Sequence, residues 1–156
     1  FLGISSNELI KIKFEVDINP PKYANFEPQF KLLPAPYEVN LYDAPSLFAG
    51  KLHAVICRSW KNRIKGRYLY DYVFYLSKGT QFNLPHLKER LVQTEAIAPE
   101  KNLTIDDVKN MLIEKFDAID YDQAKKDVIP FIKDTKSIDI WSANFFKAIT
   151  QGLRCE

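Results

Sequence analysis

Apolar and charged side chains alternate along residues 10–18, which places five apolar residues on one face and four charged residues on the other. This period of two predicts a strand, and Pro20 and Pro21 end it because proline donates no ladder hydrogen bond. Two shorter extended runs, residues 29–33 and 37–41, are separated by a Pro-Ala-Pro sequence that suits a bend. We therefore expect about three strands at the start of the chain, in a small antiparallel or mixed sheet.

From Asp43 onward the apolar residues recur at three- and four-residue spacing, which indicates amphipathic helices. Asp43 can cap a first helix that runs to about Ser59, and a second helix is expected over residues 67–77. Gly79 follows the second helix and is typical of a helix end. These two helices form a predicted hairpin.

The rest of the chain also has helical periodicity. An apolar stripe occupies residues 84–91, and Thr104 begins a sequence that resembles a capping box. A short helix is expected over residues 120–129, and Ser137 is expected to cap a last helix that extends to Leu153. The order of elements predicts an α+β fold, with strands in residues 1–42 and five or six helices in residues 43–156, packed as one compact unit.

Composition narrows the function classes. The chain has 156 residues with 22 Lys+Arg and 20 Asp+Glu, so its net charge of +2 argues against a basic nucleic-acid tail and an acidic disordered segment. Five glycines argue against a glycine-rich phosphate loop. There is no apolar run of the ~20 residues that a membrane helix needs, and no signal sequence, so we expect a soluble cytoplasmic protein. The first residue is Phe1, which suggests a fragment or a processed chain.

The charged face of the first predicted strand carries Lys11, Lys13, Glu15 and Asp17. It has two interpretations. The face could simply be solvated, as one side of an antiparallel sheet often is. Alternatively, Glu15 or Asp17 binds a divalent cation while Lys13 contacts a phosphate.

A second charged set lies on the predicted helix hairpin. Lys51 and Arg58 are seven residues apart and share a helix face, and Arg67 and Asp71 are spaced i,i+4. The set could be a solvated face with a weak ion pair. It could equally be a phosphate-binding patch, in which Asp71 holds the planar guanidinium of Arg67 in place.

Two other patterns allow a metal site, but each has a simpler interpretation. His53 and Cys57 are spaced i,i+4, yet the chain has no second pair of zinc ligands, which favours a reduced core thiol beside a partly buried imidazole. Asp120 and Asp122 form a D-x-D sequence, but a helical pattern follows at once, which favours Asp120 as a helix cap.

Two motifs of the chain resemble those of a known family. Residues 46–55 and 66–72 are similar to the fourth signature of the AbiEii/AbiGii toxin nucleotidyltransferases, a helix with L-F-x-x-K-L-x-A followed by R-D-x-x-D. Residues 13–18 are similar to the third signature, a lysine and an acid on a strand. The resemblance covers nearly the whole chain. It implies a polymerase-β-like fold, Mg²⁺, transfer of a nucleotide from an NTP to an RNA acceptor such as tRNA, and an antitoxin partner.

The resemblance also implies roles for individual residues, with Arg58 added from the cationic helix set. The expected roles are catalysis for Asp17, Lys51 and Asp71, substrate binding for Lys13, Arg58 and Arg67, and Mg²⁺ binding for Asp17 and Glu15.

The chain departs from the family pattern in two places. Tyr68 stands where the family has the first acid of its fourth signature, and the first two signatures, which should precede Lys13, are missing. A two-metal transferase without those carboxylates loses most of its charge stabilisation. We therefore expect the C-terminal part of a longer enzyme, or a degraded relative, that is inactive by itself.

The alternative is an RNA- or antitoxin-binding helical module without catalysis. It would use a cluster in which cations and aromatic residues interleave, a mixture suited to phosphate contacts and base stacking. The cluster consists of Arg58, Trp60, Lys61, Arg63, Lys65, Arg67, Tyr68 and Tyr70.

Overall fold

The computed structural model describes residues 13–60 and 64–156, and over these residues the chain forms two strands and six α-helices. The predicted α+β class is confirmed, with two strands rather than about three. The strands are β1 (Phe26–Lys31) and β2 (Tyr37–Tyr42). The helices are α1 (Ala44–Cys57), α2 (Arg67–Ser77), α3 (Leu84–Gln93), α4 (Ile105–Asp117), α5 (Tyr121–Val128) and α6 (Ala143–Thr150). None of the helices in the described residues is long and apolar enough to cross a membrane.

The sheet is a single antiparallel hairpin in which Phe26 pairs with Tyr42 and Lys31 pairs with Tyr37. The strand predicted over residues 10–18 is wrong for its described part, because residues 13–18 belong to neither strand. Their apolar side chains are almost fully exposed, and Phe14 is 89% accessible. An alternating sequence becomes a strand only when a neighbour accepts its ladder hydrogen bonds, and the described residues offer this segment none. Residues 10–12 lie outside the described residues.

Side-chain caps determine where the helices begin. Asp43 caps α1 as predicted, since its Oδ1 accepts a hydrogen bond of 2.8 Å from the Ser46 amide. The capping box of α4 is also confirmed: the Thr104 hydroxyl accepts from the Asp107 amide, and the Asp107 carboxylate accepts from the Thr104 amide.

The last helix begins later than predicted. Ser142, not Ser137, caps α6, and its Oγ accepts a hydrogen bond of 3.2 Å from the Phe145 amide. Ser137 lies instead in a short 3-10 helix, Thr135–Ile138. Because a 3-10 helix also brings residues three apart onto one side, the apolar spacing continues across the break and hides it in the sequence.

Helix α1 lies at the centre of the helical part and packs against α2, α3 and α4. Its Phe48, Leu52 and Val55 are completely buried. Tyr72 of α2 packs against the rings of Phe116 and Phe146, and these aromatic contacts connect α2 to α4 and α6. One side of α1, between α2 and α3, stays open to solvent.

A buried polar junction holds the start of α1 beside the start of α3. Asn83, the cap of α3, donates hydrogen bonds to Ser46 Oγ (3.3 Å) and to the Tyr23 carbonyl (2.8 Å). Ser46 Oγ also accepts a bond of 2.9 Å from the Asn25 amide. The junction thereby fixes the chain before β1 against both helices, and it places the end of β2 at the open side of α1.

Candidate functional site

The open side of α1 forms a pocket of about 290 Å³. Gly50 and Ala54 of α1 have small side chains and leave space at the base of the pocket. Elements β2, α2 and α3 each contribute one large side chain to its walls. The pocket is lined by Tyr42, Ser46, Leu47, Gly50, Lys51, Ala54, Tyr68 and Arg90.

Lys51 and Asp71 meet across the hairpin of α1 and α2. The Lys51 Nζ lies 2.7 Å from Asp71 Oδ2, and both side chains are about one-third exposed. The predicted pair of Arg67 with Asp71 is wrong for this structure, since within the described residues the carboxylate pairs with Lys51. The i,i+4 spacing allowed a contact between Arg67 and Asp71, but the packing of α1 against α2 brings Lys51 to the carboxylate instead.

Two arginines lie against the ring of Tyr68 at the edge of the pocket. The guanidinium carbon of Arg58 is 5.3 Å from the ring centroid, and that of Arg67 is 5.7 Å away. Both distances are within the usual range of a cation–π contact. Of the predicted site residues, Arg58 and Arg67 therefore flank Tyr68, which lines the pocket together with Lys51.

Arg90 is a pocket residue that the sequence analysis missed. Its Nε donates a hydrogen bond of 3.0 Å to Nε2 of His86, and His86 Nδ1 donates one of 2.7 Å to the Lys22 carbonyl. The guanidinium lies above Gly50, where a Cβ would be 3.6 Å from its central carbon. The only sequence signal was the i,i+4 spacing of a histidine and an arginine, which is common on solvated helices.

Both histidines near the pocket favour the neutral form. Burial lowers the pKa of His86, the hydrogen bond to the Lys22 carbonyl offsets part of this effect, and the nearby Arg90 cation lowers the pKa further. Burial likewise lowers the pKa of His53, again with a contribution from Arg90. A neutral His86 that donates from Nδ1 keeps Nε2 free to accept from Arg90.

The predicted site residues Lys13, Glu15 and Asp17 make their own local contacts. Lys13 contacts the carboxylate of Glu15, and Asp17 Oδ1 accepts a hydrogen bond of 3.0 Å from the Asn19 amide. All three charged side chains are exposed. In the described part of the chain no hydrogen bond or ion pair joins Lys13, Glu15 or Asp17 to a pocket residue.

Glu15 and Asp17, the acids predicted to bind Mg²⁺, each contact another group of the protein in this structure. Over residues 13–60 and 64–156, no three His, Cys, Asp or Glu side chains converge in a way that could hold a metal ion. Glu15 is engaged by Lys13, and Asp17 by a backbone amide. Mg²⁺ is usually held by one or two carboxylates together with substrate phosphates, so these two exposed acids provide no formed site.

The remaining candidate patterns have structural roles. Asp120 caps α5, as expected, by accepting hydrogen bonds from the Asp122 and Gln123 amides. The side chains of His53 and Cys57 both contact Thr94 Oγ1, at 3.1 and 3.6 Å. The cysteine is a free thiol, as expected, but it is exposed rather than in the core, because its helix ends there at the surface.

The predicted basic and aromatic cluster is only partly available to a ligand. Trp60 is 4% exposed and donates its indole N–H to the Val55 carbonyl at 3.0 Å, so it cannot stack on a base. Tyr70 is 42% exposed and Arg67 is exposed. Lys61 and Arg63 lie outside the described residues.

Comparison with known proteins gives one match. A family model described as "Nucleotidyl transferase AbiEii toxin, Type IV TA system" matches residues 2–148. No curated protein and no solved structure matches the chain.

Proposed function

The chain belongs to the AbiEii nucleotidyltransferase toxin family, and from this premise we propose that its α1–α2–α3 pocket binds the phosphates of an NTP. The acceptor in the proposed reaction is RNA, such as tRNA. The toxin–antitoxin description of the family implies an antitoxin as a partner.

One observation carries the proposal. The lysine of α1 and the acid of α2 that resemble the family's fourth signature are in contact at 2.7 Å, beside a pocket with Arg90 and Tyr68 in its walls. Nucleotidyl transfer demands cations placed where the triphosphate charge resides, with little covalent chemistry from the protein. Lys51 and Arg90 supply two such cations from different helices, and the flanking arginines of Tyr68 add to the positive potential.

The proposed catalytic or metal-binding roles of Lys13, Glu15 and Asp17 rest on sequence resemblance alone. These residues contact no pocket side chain in the described part of the chain, so the pocket accounts for binding of phosphates and not for the whole reaction. We therefore propose that the 156-residue chain binds an NTP but transfers no nucleotide by itself.

The experiment is calorimetric titration of the purified chain with each of the four ribonucleoside triphosphates. We expect Lys51→Gln to weaken binding of the preferred NTP by about ten-fold or more, because a hydrogen bond to a charged group contributes about 1.5–3 kcal/mol. Lys101→Gln is the matched control. Lys101 is also a partly exposed lysine paired with an aspartate, at 2.9 Å, but it lies on the α4 capping box.

The two variants separate site binding from general charge effects. Equal losses in both would show that the NTP responds only to net charge. Absence of binding by the unchanged chain would reject the proposal.

A second candidate, RNA binding without catalysis, is favoured by a different observation. Arg67 is exposed and lies against Tyr68, an arrangement that can contact an RNA phosphate while the ring stacks on a base. We expect tRNA binding to weaken steeply with salt and to be reduced by Arg67→Glu. Lys126→Glu on α5 introduces the same charge change as a control, and equal effects of the two would argue against a specific RNA surface.

A further inference from the structure

Arg90 is a pocket cation that has no carboxylate partner among the described residues. In the described part of the chain, the carboxylate of Asp71 neutralises Lys51, whereas no carboxylate lies within ion-pair distance of Arg90. The Arg90 side chain donates a hydrogen bond from Nε to Nε2 of His86. No described residue accepts a hydrogen bond from the two terminal nitrogens of the guanidinium, so these nitrogens can serve another acceptor.

The guanidinium is held in place rather than left to move in solvent. His86 is completely buried and is anchored by its own bond to the Lys22 carbonyl, so the acceptor for Arg90 Nε has a fixed position. The ring of Tyr42 lies 6.1 Å from the ring of His86 and covers it from the side of the sheet. Beneath the guanidinium, the missing side chain of Gly50 leaves space for it to lie close to α1.

An arginine fixed through Nε presents its other two nitrogens as a planar fork. That fork matches two oxygens of a phosphate or a carboxylate, and it is stronger than a single neutral hydrogen bond. The same pocket also contains Lys51 and two tyrosine side chains, Tyr42 and Tyr68. Two cations suit the charge of a nucleotide phosphate, and the neighbouring aromatic rings can stack on its base.

We propose that Arg90, oriented by His86, is a ligand for a phosphate group of the NTP bound in this pocket. The inference rests on the proposed function, since it names the residue that binds one phosphate of the same substrate. His86 does not contact the phosphate; it is a positioning residue that fixes the direction of the guanidinium.

The test compares binding of two probes, the preferred ribonucleoside triphosphate and inorganic tripolyphosphate, at constant ionic strength. We expect Arg90→Gln to weaken both by about ten-fold or more, because it removes a charged pair of hydrogen bonds. Arg90→Lys keeps the charge but not the fork and should recover only part of the affinity. Lys88→Gln, on the same helix but outside the pocket, is the control for net charge.

The role of His86 is tested by a double-mutant cycle. His86→Phe keeps a ring of similar shape but has no acceptor, so it should weaken binding of both probes, and the double variant should bind no more weakly than Arg90→Gln alone. A purely structural role of His86 would instead give additive losses. If His86→Phe fails to fold, as judged by circular dichroism, the two Arg90 variants still decide the phosphate role.

The outcomes distinguish the two proposals. An unchanged chain that binds neither probe rejects the proposed function and this inference with it. A chain that binds the NTP, with Arg90→Gln no weaker than Lys88→Gln, overturns the inference and leaves the proposed function standing.

Discussion

Gly66 allows α2 to begin in close contact with α5, and its replacement by alanine gives a sharp test of that packing. Gly66 has φ −55°, which alanine adopts without strain, so the substitution perturbs only the space around the new Cβ. That Cβ would overlap the Ala124 carbonyl oxygen and lie 2.7 Å from Val128 Cγ2. The normal separation of carbon atoms is about 3.5–4.0 Å, so α2 and α5 must move apart.

The loss of stability expected for Gly66→Ala depends on which atom the new Cβ meets. Because the overlapped atom belongs to the backbone, no side-chain rotation relieves the clash, and overpacking of this kind costs about 1–3 kcal/mol. For a chain of this length, the melting temperature should fall by about 2–12 °C. Gly66 immediately precedes Arg67 and Tyr68, so the same displacement should also move the pocket wall that Tyr68 forms.

Gly50→Ala is the matched control, in the middle of α1. Its Cβ would meet Arg90 at 3.6 Å, an ordinary contact, while alanine favours the helix by about 0.5–1 kcal/mol. Thermal unfolding followed by circular dichroism should therefore show opposite changes: a lower melting temperature for Gly66→Ala and an equal or higher one for Gly50→Ala. A melting temperature for Gly66→Ala at or above that of the unchanged chain would refute the close approach of α2 and α5.

Three further predictions concern the cap, the pH response and the activity. Thr104→Ala should lower the free energy of unfolding, measured with a chemical denaturant, by about 1 kcal/mol, as loss of an N-cap usually does. The hydrogen bonds from Thr104 and Lys101 lower the pKa of Asp107 to about 2. The Asp107 carboxylate should therefore lose its stabilising effect as the pH falls from its ordinary pKa of 3.8 to about 2. Because the pKa values of His53 and His86 are lowered from 6.5, the unfolded chain takes up more protons, and urea titrations should show stability falling as pH drops below 6.5; a flat profile would contradict neutral histidines. The chain alone should give no Mg²⁺-dependent labelling of tRNA with any radiolabelled NTP, and labelling above background would contradict the proposed inactivity.

The helices could be predicted from the sequence because their signals are local. A cap, an apolar period and a terminating residue all lie within a few positions of each other, and the predicted bounds of α2, residues 67–77, agree with the structure. The strand over residues 10–18 had an equally regular pattern but depended on a partner elsewhere. Alternation specifies which face of a segment is apolar, and it does not specify what covers that face.

The candidate site residues on the α1–α2 hairpin could be predicted from the sequence. Lys51 and Asp71 could be grouped because a hairpin of two helices brings their facing sides together. Arg90 could not, since its place in the pocket depends on how α3 packs on α1 and on the buried acceptor of His86. Neither of these long-range arrangements leaves a distinctive spacing in the sequence.

The pairing of Lys51 with Asp71 has a consequence for how the pocket would receive a triphosphate. A phosphate that approaches Lys51 must share this cation with a carboxylate 2.7 Å away, and that carboxylate repels it. Arg90 carries no such opposing charge in the described part of the chain, so its attraction to phosphate is not reduced in the same way. For the proposed NTP, we therefore expect the phosphates to contact Arg90 first, and Lys51 to join where the ligand displaces or reorients Asp71. Both Arg90→Gln and Lys51→Gln should then weaken binding, because Lys51 adds to the affinity once Asp71 has been displaced from it.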